Sequence, residues 1–263
     1  MKRLTLHRIA LIALLGVLPG CCAAASIGIV TIVDGEAGLI REARRLDAAE
    51  GLRVRDEDIV RTGPATRLVR IELSDGSALD LGADTELVLQ PRAGRFGERA
   101  ATLFLARGWL KVSSAPGEPL AGVAGASLDL RALVGTAVLH AAPRAMLVFV
   151  ESGQARAAEA EAAFEVALAE GDAFVRRGRE AATGERHPPA GWLDGLPRAF
   201  ADSLPRRAAR FHARPVEPGP GVPVAAADMP RWLDAVRAPR ASPPAPRLRP
   251  VTATLTHSME TTR

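Results

Sequence analysis

The chain of 263 residues has no tyrosine, 4% aromatic residues and two cysteines, and its only lysines are Lys2 and Lys111. Cys21 and Cys22 are adjacent, so the body that follows them holds no disulfide and no thiol metal site, and its stability must come from packing. Positive charge is scarce where a nucleic-acid groove would need it. Residues 26–204 carry 21 basic against 26 acidic residues, whereas 205–263 carry 10 against 4. An acidic body with few aromatics argues against DNA or RNA as a partner. The basic residues are nearly all Arg, which reflects GC-rich coding rather than nucleic-acid contact. Long helices are disfavoured as well, since 20 Pro and 24 Gly punctuate the chain.

What is present suffices for a real core. Apolar residues make up 48% of the chain, enough for one large domain or two small ones. The opening MKRLTLHRIALIALLGVLPGCCAAAS has a basic head, an apolar run from Ile9 to Leu18, and then small residues. It reads as a secretory signal over residues 1–25. The apolar run is short for a span of about 20 residues, which leaves an uncleaved anchor as one alternative. Leu18-Pro19-Gly20-Cys21 has the form of a lipobox, which makes Cys21 a candidate for lipidation; Ala23-Ala24-Ala25 before Ser26 fits ordinary signal peptidase. The expected location is the periplasm, free or held at the outer membrane by a lipid.

From Ser26 to about Val175 the apolar pattern has period two between turns. Ile27, Ile29 and Thr31 precede Asp34-Gly35; Val69, Ile71 and Leu73 precede Asp75-Gly76; Leu79 and Leu81 follow, then Leu87 and Leu89 after Gly82-Ala83-Asp84. In a strand alternate side chains share a face, so each run should turn an apolar face to the core and a polar face to solvent. Asp75-Gly76 is a hairpin signal of the tight primed kind. Gly35, Gly63, Gly76, Gly82, Gly135 and Gly153 fall where strands must turn or backbones approach closely. Ala155–Glu170 has helical composition, yet Phe164, Val166 and Leu168 alternate before Gly171-Asp172, so its second half reads as a strand. The fold class expected is mainly β, with short stacked strands arranged as a β-solenoid or a two-sheet sandwich, and a Pro-rich C-terminal tail carrying short helices.

The order Val33-Asp34-Gly35, Asp58-Ile59-Val60-Arg61-Thr62-Gly63 and Ile71-Glu72-Leu73-Ser74-Asp75-Gly76-Ser77, with Leu79 and Leu81-Gly82, resembles the FecR domain of Gram-negative bacteria. Leu133-Val134-Gly135-Thr136-Ala137 resembles that family's RGT-type segment, with Val134 where Arg is usual. Val150-Glu151-Ser152-Gly153 and Leu168-Ala169-Glu170-Gly171-Asp172 resemble its closing strand pair. The likeness spans about residues 27–178. It implies a periplasmic module of short stacked strands, which in the best known members is the envelope half of a transmembrane regulator of iron-uptake sigma factors, responding to a TonB-dependent receptor. Those members carry a cytoplasmic segment ahead of a membrane span; here eight residues precede the apolar run.

The division expected is a β domain over 26–178, a linker over 179–190, a short helical extension over 191–236 and a Pro/Arg-rich tail over 237–263, extended or disordered. In the extension, Asp228 before Pro230 is a plausible helix start. Trp192 and Trp232 either anchor it on the body's own strands or serve as hot spots for a partner protein. A basic tail beside an acidic body makes self-docking electrostatically sensible.

Chemistry finds little footing. His7, His140, His187, His212 and His257 share no metal-ligand spacing. Neither Ser77 nor Ser152 sits in a nucleophile elbow; Asp75, Ser77, Gly135 and Thr136 read as turn or strand-crossing residues. Asp56-Glu57-Asp58 reads as a solvated turn rather than a calcium loop, and Ala121–Ser127 lacks the ending of a phosphate loop. No catalytic residue, metal or cofactor is expected. The leading expectation is a non-enzymatic envelope module that binds a protein partner, in signalling or sensing, through exposed strand edges. The alternatives are a structural envelope lipoprotein or scaffold, a regulator of TonB-dependent iron-uptake sigma-factor signalling, or an enzyme acting on an envelope polymer.

Overall fold

The computed structural model describes residues 26–89, 103–120, 122–160, 162, 164–213 and 216–225, together with the backbone of 247–249. The expected signal segment, Cys21, the helix start at Asp228 and Trp232 lie outside the described residues. Among those described, no helix is long and apolar enough to cross a membrane.

The fold is mainly β. Its strands are β1 (Ser26–Asp34), β2 (Ala37–Arg41), β3 (Arg44–Asp47), β4 (Arg53–Arg55), β5 (Ile59–Thr62), β6 (Leu68–Leu73), β7 (Ala78–Leu81), β8 (Glu86–Leu89), β9 (Leu103–Ser113), β10 (Val123–Gly125), β11 (Leu128–Ala142), β12 (Ala145–Glu159), β13 (Phe164–Ala169), β14 (Ala173–Arg177), β15 (Thr183–Glu185), β16 (Val222–Pro223) and β17 (Arg247–Arg249). One half of the sheet runs β4-β1-β6-β7-β9-β11-β12-β14-β15, and the other runs β16-β3-β2-β5-β8-β9-β10-β11-β12-β13-β17. The long strands β9, β11 and β12 belong to both. Pairing is antiparallel except at β9–β10 and β13–β17.

A flat sheet of this width could not bury its apolar face, because among the described residues no helix layer lies over it. Yet Leu79, Leu81, Leu110 and Leu139 from one half, and Leu39, Leu87, Leu103 and Leu128 from the other, form one cluster of fully buried side chains. The halves therefore face each other, as the two layers of a sandwich do. The fold-over occurs where β11 and β12 change register between Thr136 and Ala137, beside the cross-strand pair Gly135–Gly153. Their φ angles are +120° and +83°, and a Cβ at either would sit 2.2 Å and 2.1 Å from the carbonyl oxygens of Ser152 and Val134. Only glycine, lacking Cβ, lets two bent strands approach this closely.

Turns depart from expectation in an informative way. The loop at Asp75-Gly76 is not a primed two-residue turn. The Gly76 N–H donates to the Leu73 carbonyl at 3.0 Å, Asp75 Oδ1 accepts from the Ser77 N–H at 2.7 Å, and only Gly76 has positive φ, +89°. That is a type I turn followed by a left-handed glycine. The primed turn occurs instead at Glu42-Ala43, with φ of +49° and +58° between the paired Arg41 and Arg44, where no glycine advertises it.

Four further readings are corrected. The residues expected as linker, 179–190, contribute β15, which pairs with β14. The first half of Ala155–Glu170 is strand as well, because Ala155 and Ala157 are buried at alternate positions of β12, and burial outweighs the helix propensity of alanine. In the extension the described residues form three short 3-10 turns, Leu193–Gly195, Arg198–Ala201 and Ala208–Phe211, and the two-residue strand β16, with no longer helix among them. Pro197 and Pro205 interrupt any longer helix, having no N–H to donate. Asp58 does not lie in a solvated turn: it is 1% exposed and takes a bidentate pair from Arg41, at 2.8 Å and 2.6 Å, plus the Arg55 N–H at 2.7 Å. Its carboxylate holds the Arg41 guanidinium pKa above its ordinary value.

Candidate functional site

The alternation that should have placed polar side chains in water instead places them beneath the C-terminal extension. On the outer face of the first half-sheet, Ile32, Arg70, Asp80, Lys111, Val138, Phe149 and Ala173 form one cross-strand row. Arg70, Asp80 and Lys111 lie at its centre and are 4%, 4% and 7% exposed. The expectation of a solvated outer face fails here because residues 192–211 cross it as a strap.

Three kinds of contact seat the strap. Phe200, 1% exposed, enters an apolar patch formed by Leu68 and Val138, flanked by Ile32, Trp109, Phe149 and the strap's own Trp192, Leu196 and Leu204. Burying a side chain of this size is worth about 1.5–3 kcal/mol. Glu72, which also accepts from the Thr31 hydroxyl at 3.0 Å, takes the backbone N–H groups of Arg207 and Ala208 at 2.8 Å and 3.0 Å. Lys111 Nζ donates to the Phe200 carbonyl and to Glu151, 2.8 Å from Oε2. Charge-assisted bonds of this type are stronger than neutral ones. Gly82 leaves room for the strap: a Cβ there would come within 3.0 Å of Pro197 and of Trp109.

The fit is incomplete. Arg70 Nε lies 3.0 Å from Asp80 Oδ1, but the pair is not aligned as a hydrogen bond. Arg70 Nε and Nη1, Asp80 Oδ1 and Trp192 Nε1 are all buried without a hydrogen-bond partner. An isolated atom of this kind costs about 1–3 kcal/mol; for Arg70 Nε and Asp80 Oδ1 the mutual attraction of the ion pair offsets part of that cost. Burial raises the Asp80 pKa from its ordinary value, an effect the nearby Arg70, Lys111 and Arg206 oppose.

At one end of the strap Trp192 lies 5.3 Å from Trp109 and 5.6 Å, edge-on, from Phe149, measured between ring centres. His140 stacks on Trp109, 3.8 Å away and 8° from parallel, and burial lowers its pKa. Trp192, His140, Leu147, Val175, Arg177 and Pro189 border a shallow cleft of about 160 Å³. Beyond the strap the chain stays on the body: Val216 bridges to Leu52, and β16 pairs with β3.

The residues singled out from sequence are thus dispersed. Gly35 follows β1, Gly63 follows β5, where its N–H donates to the Glu36 carbonyl at 2.9 Å, and Asp75-Gly76 joins β6 to β7. Gly135, Thr136 and Gly153 meet at the crease, Thr136 Oγ1 lying 3.3 Å from Ser113 Oγ. Only Gly82 and Trp192 belong to the strap site. Sequence reasoning missed Arg70, Glu72, Asp80, Lys111 and Phe200. The one available signal was Lys111, the sole lysine after residue 2. Among the described residues no group of three His, Cys, Asp or Glu side chains could hold a metal ion.

No protein-family profile matches the chain, and no curated protein matches it. Two crystal structures from Parabacteroides distasonis ATCC 8503, each named "putative anti-sigma factor", resemble part of it. One has 15% identity and a TM-score of 0.40, covering 49% of this chain and 59% of that one. The other has 16% identity and a TM-score of 0.36, covering 45% and 55%. The chain therefore spans little more than half the length of either structure, and likeness at this level assigns it no function.

Proposed function

We propose that this protein is an exported, non-enzymatic interaction module related to FecR domains, which binds a protein partner in cell-envelope signalling or sensing. The observation that carries the reading is the outer sheet face that grips a non-helical segment of its own chain. It does so with a pocket for one aromatic side chain, a carboxylate for two backbone N–H groups and an ammonium for one backbone carbonyl. Two of these three features recognise backbone, which every polypeptide offers, so a face of this design suits protein recognition. The turn and glycine motifs that resemble those of FecR domains support the family part of the proposal, and the signal-like pattern of residues 1–25 supports the periplasmic part.

The test is crosslinking in intact envelopes with a photoreactive residue at exposed Leu193, followed by identification of the adducts. A reproducible adduct with one envelope protein is the expected result. Only uncrosslinked monomer across several growth conditions would refute the reading. Lipid labelling that is lost in Cys21→Ala, with no transcriptional change on deletion, would point to the structural lipoprotein instead.

A further inference from the structure

Of the five buried side-chain atoms without hydrogen-bond partners among the described residues, three belong to the central pair on the sheet, Arg70 Nε, Arg70 Nη1 and Asp80 Oδ1, and a fourth, Trp192 Nε1, belongs to the strap's own end. Native interiors leave few such atoms, and a cluster of them calls for a physical reason. Here the closed strap excludes water from a donor and an acceptor on the sheet without supplying what either needs. The strap's anchoring groups are good, but the middle of its footprint is poorly matched. A ligand that keeps the anchors and completes the middle would bind the same face better.

We infer that the face beneath residues 196–208 is the recognition site for an extended segment of another protein, and that the strap is its built-in competitor. The preferred segment presents a Phe-like side chain to the patch of Leu68 and Val138, and that residue's carbonyl to Lys111. Seven and eight residues further on, it presents two consecutive free backbone N–H groups to Glu72, the spacing of Phe200, Arg207 and Ala208 in the strap. Between these anchors it carries a carboxamide side chain, whose oxygen accepts from Arg70 and whose NH2 donates to Asp80. In that stretch the strap has Ala201, Asp202, Ser203, Leu204, Pro205 and Arg206, none of which is a carboxamide.

Release of the strap is mechanically simple. It is joined to β15 through His187, Pro188, Pro189 and Gly191, whose φ is +77° and beside which a Cβ would meet nothing within 4 Å. Its only regular structure is single 3-10 turns, so little secondary structure is lost on lifting it. An intramolecular segment enjoys a high effective concentration, so a competing partner must fit better or arrive in a tethered or abundant form. The raised Asp80 pKa agrees with a carboxylate held dry under a cover that does not fully compensate it.

This inference rests on the reading of the protein as an interaction module, and its test uses the strap itself as probe. The full chain carrying Phe200→Ala is titrated with a labelled synthetic peptide of residues 192–210, with the same peptide bearing Ala at 200, and with one bearing Gln at 204, the residue between the anchors that packs toward the sheet. The expected result is saturable binding of the first, at least tenfold weaker binding of the second, and tighter binding of the third. Binding should weaken when Glu72→Gln is added to the protein. Hydrogen exchange at the Arg207 and Ala208 amides, read on the same variant, checks that its strap is released while β6, β7 and β9 stay protected. Should Phe200→Ala unfold the body, a chain carrying Leu204→Ala, which loosens the strap without touching the sheet's own anchors, serves in its place with the same peptides. A released strap with no peptide binding, or equal binding of the first and second peptides, overturns the inference. Peptide binding without any envelope crosslink would leave this site standing and refute the signalling partner; a crosslinked partner that ignores Arg70 and Glu72 variants would do the reverse.

Discussion

Replacing Gly135 with alanine tests whether the crease between the two half-sheets holds the fold together. The φ of Gly135 is +120°, outside the region open to an L side chain, and the new Cβ would stand 2.2 Å from the Ser152 carbonyl oxygen. The backbone penalty alone is about 1–2 kcal/mol. Relieving the overlap means moving β11 away from β12 at the Gly135–Gly153 pair, which weakens adjacent ladder bonds worth about 1 kcal/mol each. The total is about 3–5 kcal/mol, at the severe end for a single substitution. With a urea slope of about 2 kcal/mol per molar, the unfolding midpoint should fall by about 2 M. Gly117→Ala is the control: its φ is +78° but a Cβ there meets nothing within 4 Å, so it should show the backbone penalty without the collision. A Gly135→Ala midpoint no lower than that of Gly117→Ala would refute the argument that close approach at the crease, rather than glycine's dihedral freedom alone, is what the position requires.

Asp58→Asn should cost about 3 kcal/mol in chemical denaturation, since it leaves the Arg41 guanidinium, 11% exposed, without its bidentate carboxylate. Arg70→Met should destabilise by about 3 kcal/mol, and adding Asp80→Leu should recover most of that loss, because an apolar pair can replace a poorly matched buried ion pair; additive losses in the double variant would show that the row contributes stability. Burial keeps the folded pKa of His140 below 6.5, so as pH falls through 6.5 the unfolded chain takes up a proton that the folded chain refuses, and stability falls until the folded pKa is reached. Melting temperature measured from pH 7.5 to pH 5 should therefore drop less for His140→Phe, which retains the stack on Trp109, than for the parent chain.

The β class was legible because period two and punctuating turns are local properties. Val69, Ile71, Leu79, Leu81, Leu87 and Leu89 all point into the core that their spacing anticipates. The turn at Asp75-Gly76 was legible as a turn but not as to type, since a left-handed glycine serves both the primed turn and the type I turn with a following glycine. Glu42-Ala43 was not legible at all, because its positive φ angles are imposed by the register of β2 on β3 rather than favoured by its residues. The helical composition of Ala155–Ala158 misled for a related reason: alanine's preference is weak beside the burial of Ala155, Ala157 and Ala158 on paired strands.

Local pattern was enough to give the alternation of each strand, the positions of most turns and the absence of any disulfide in the body, all of which depend on residues within a few positions of one another. Long-range packing was needed to bring Gly135 opposite Gly153, to set Trp192 against Trp109 and Phe149, and to bury Arg70, Glu72, Asp80 and Lys111 rather than leave them solvated. Alternation states which side chains share a face of a strand. What covers that face is supplied from far along the chain, by Phe200 on Lys111 across 89 positions and by Arg207 on Glu72 across 135, and no neighbouring residue encodes it.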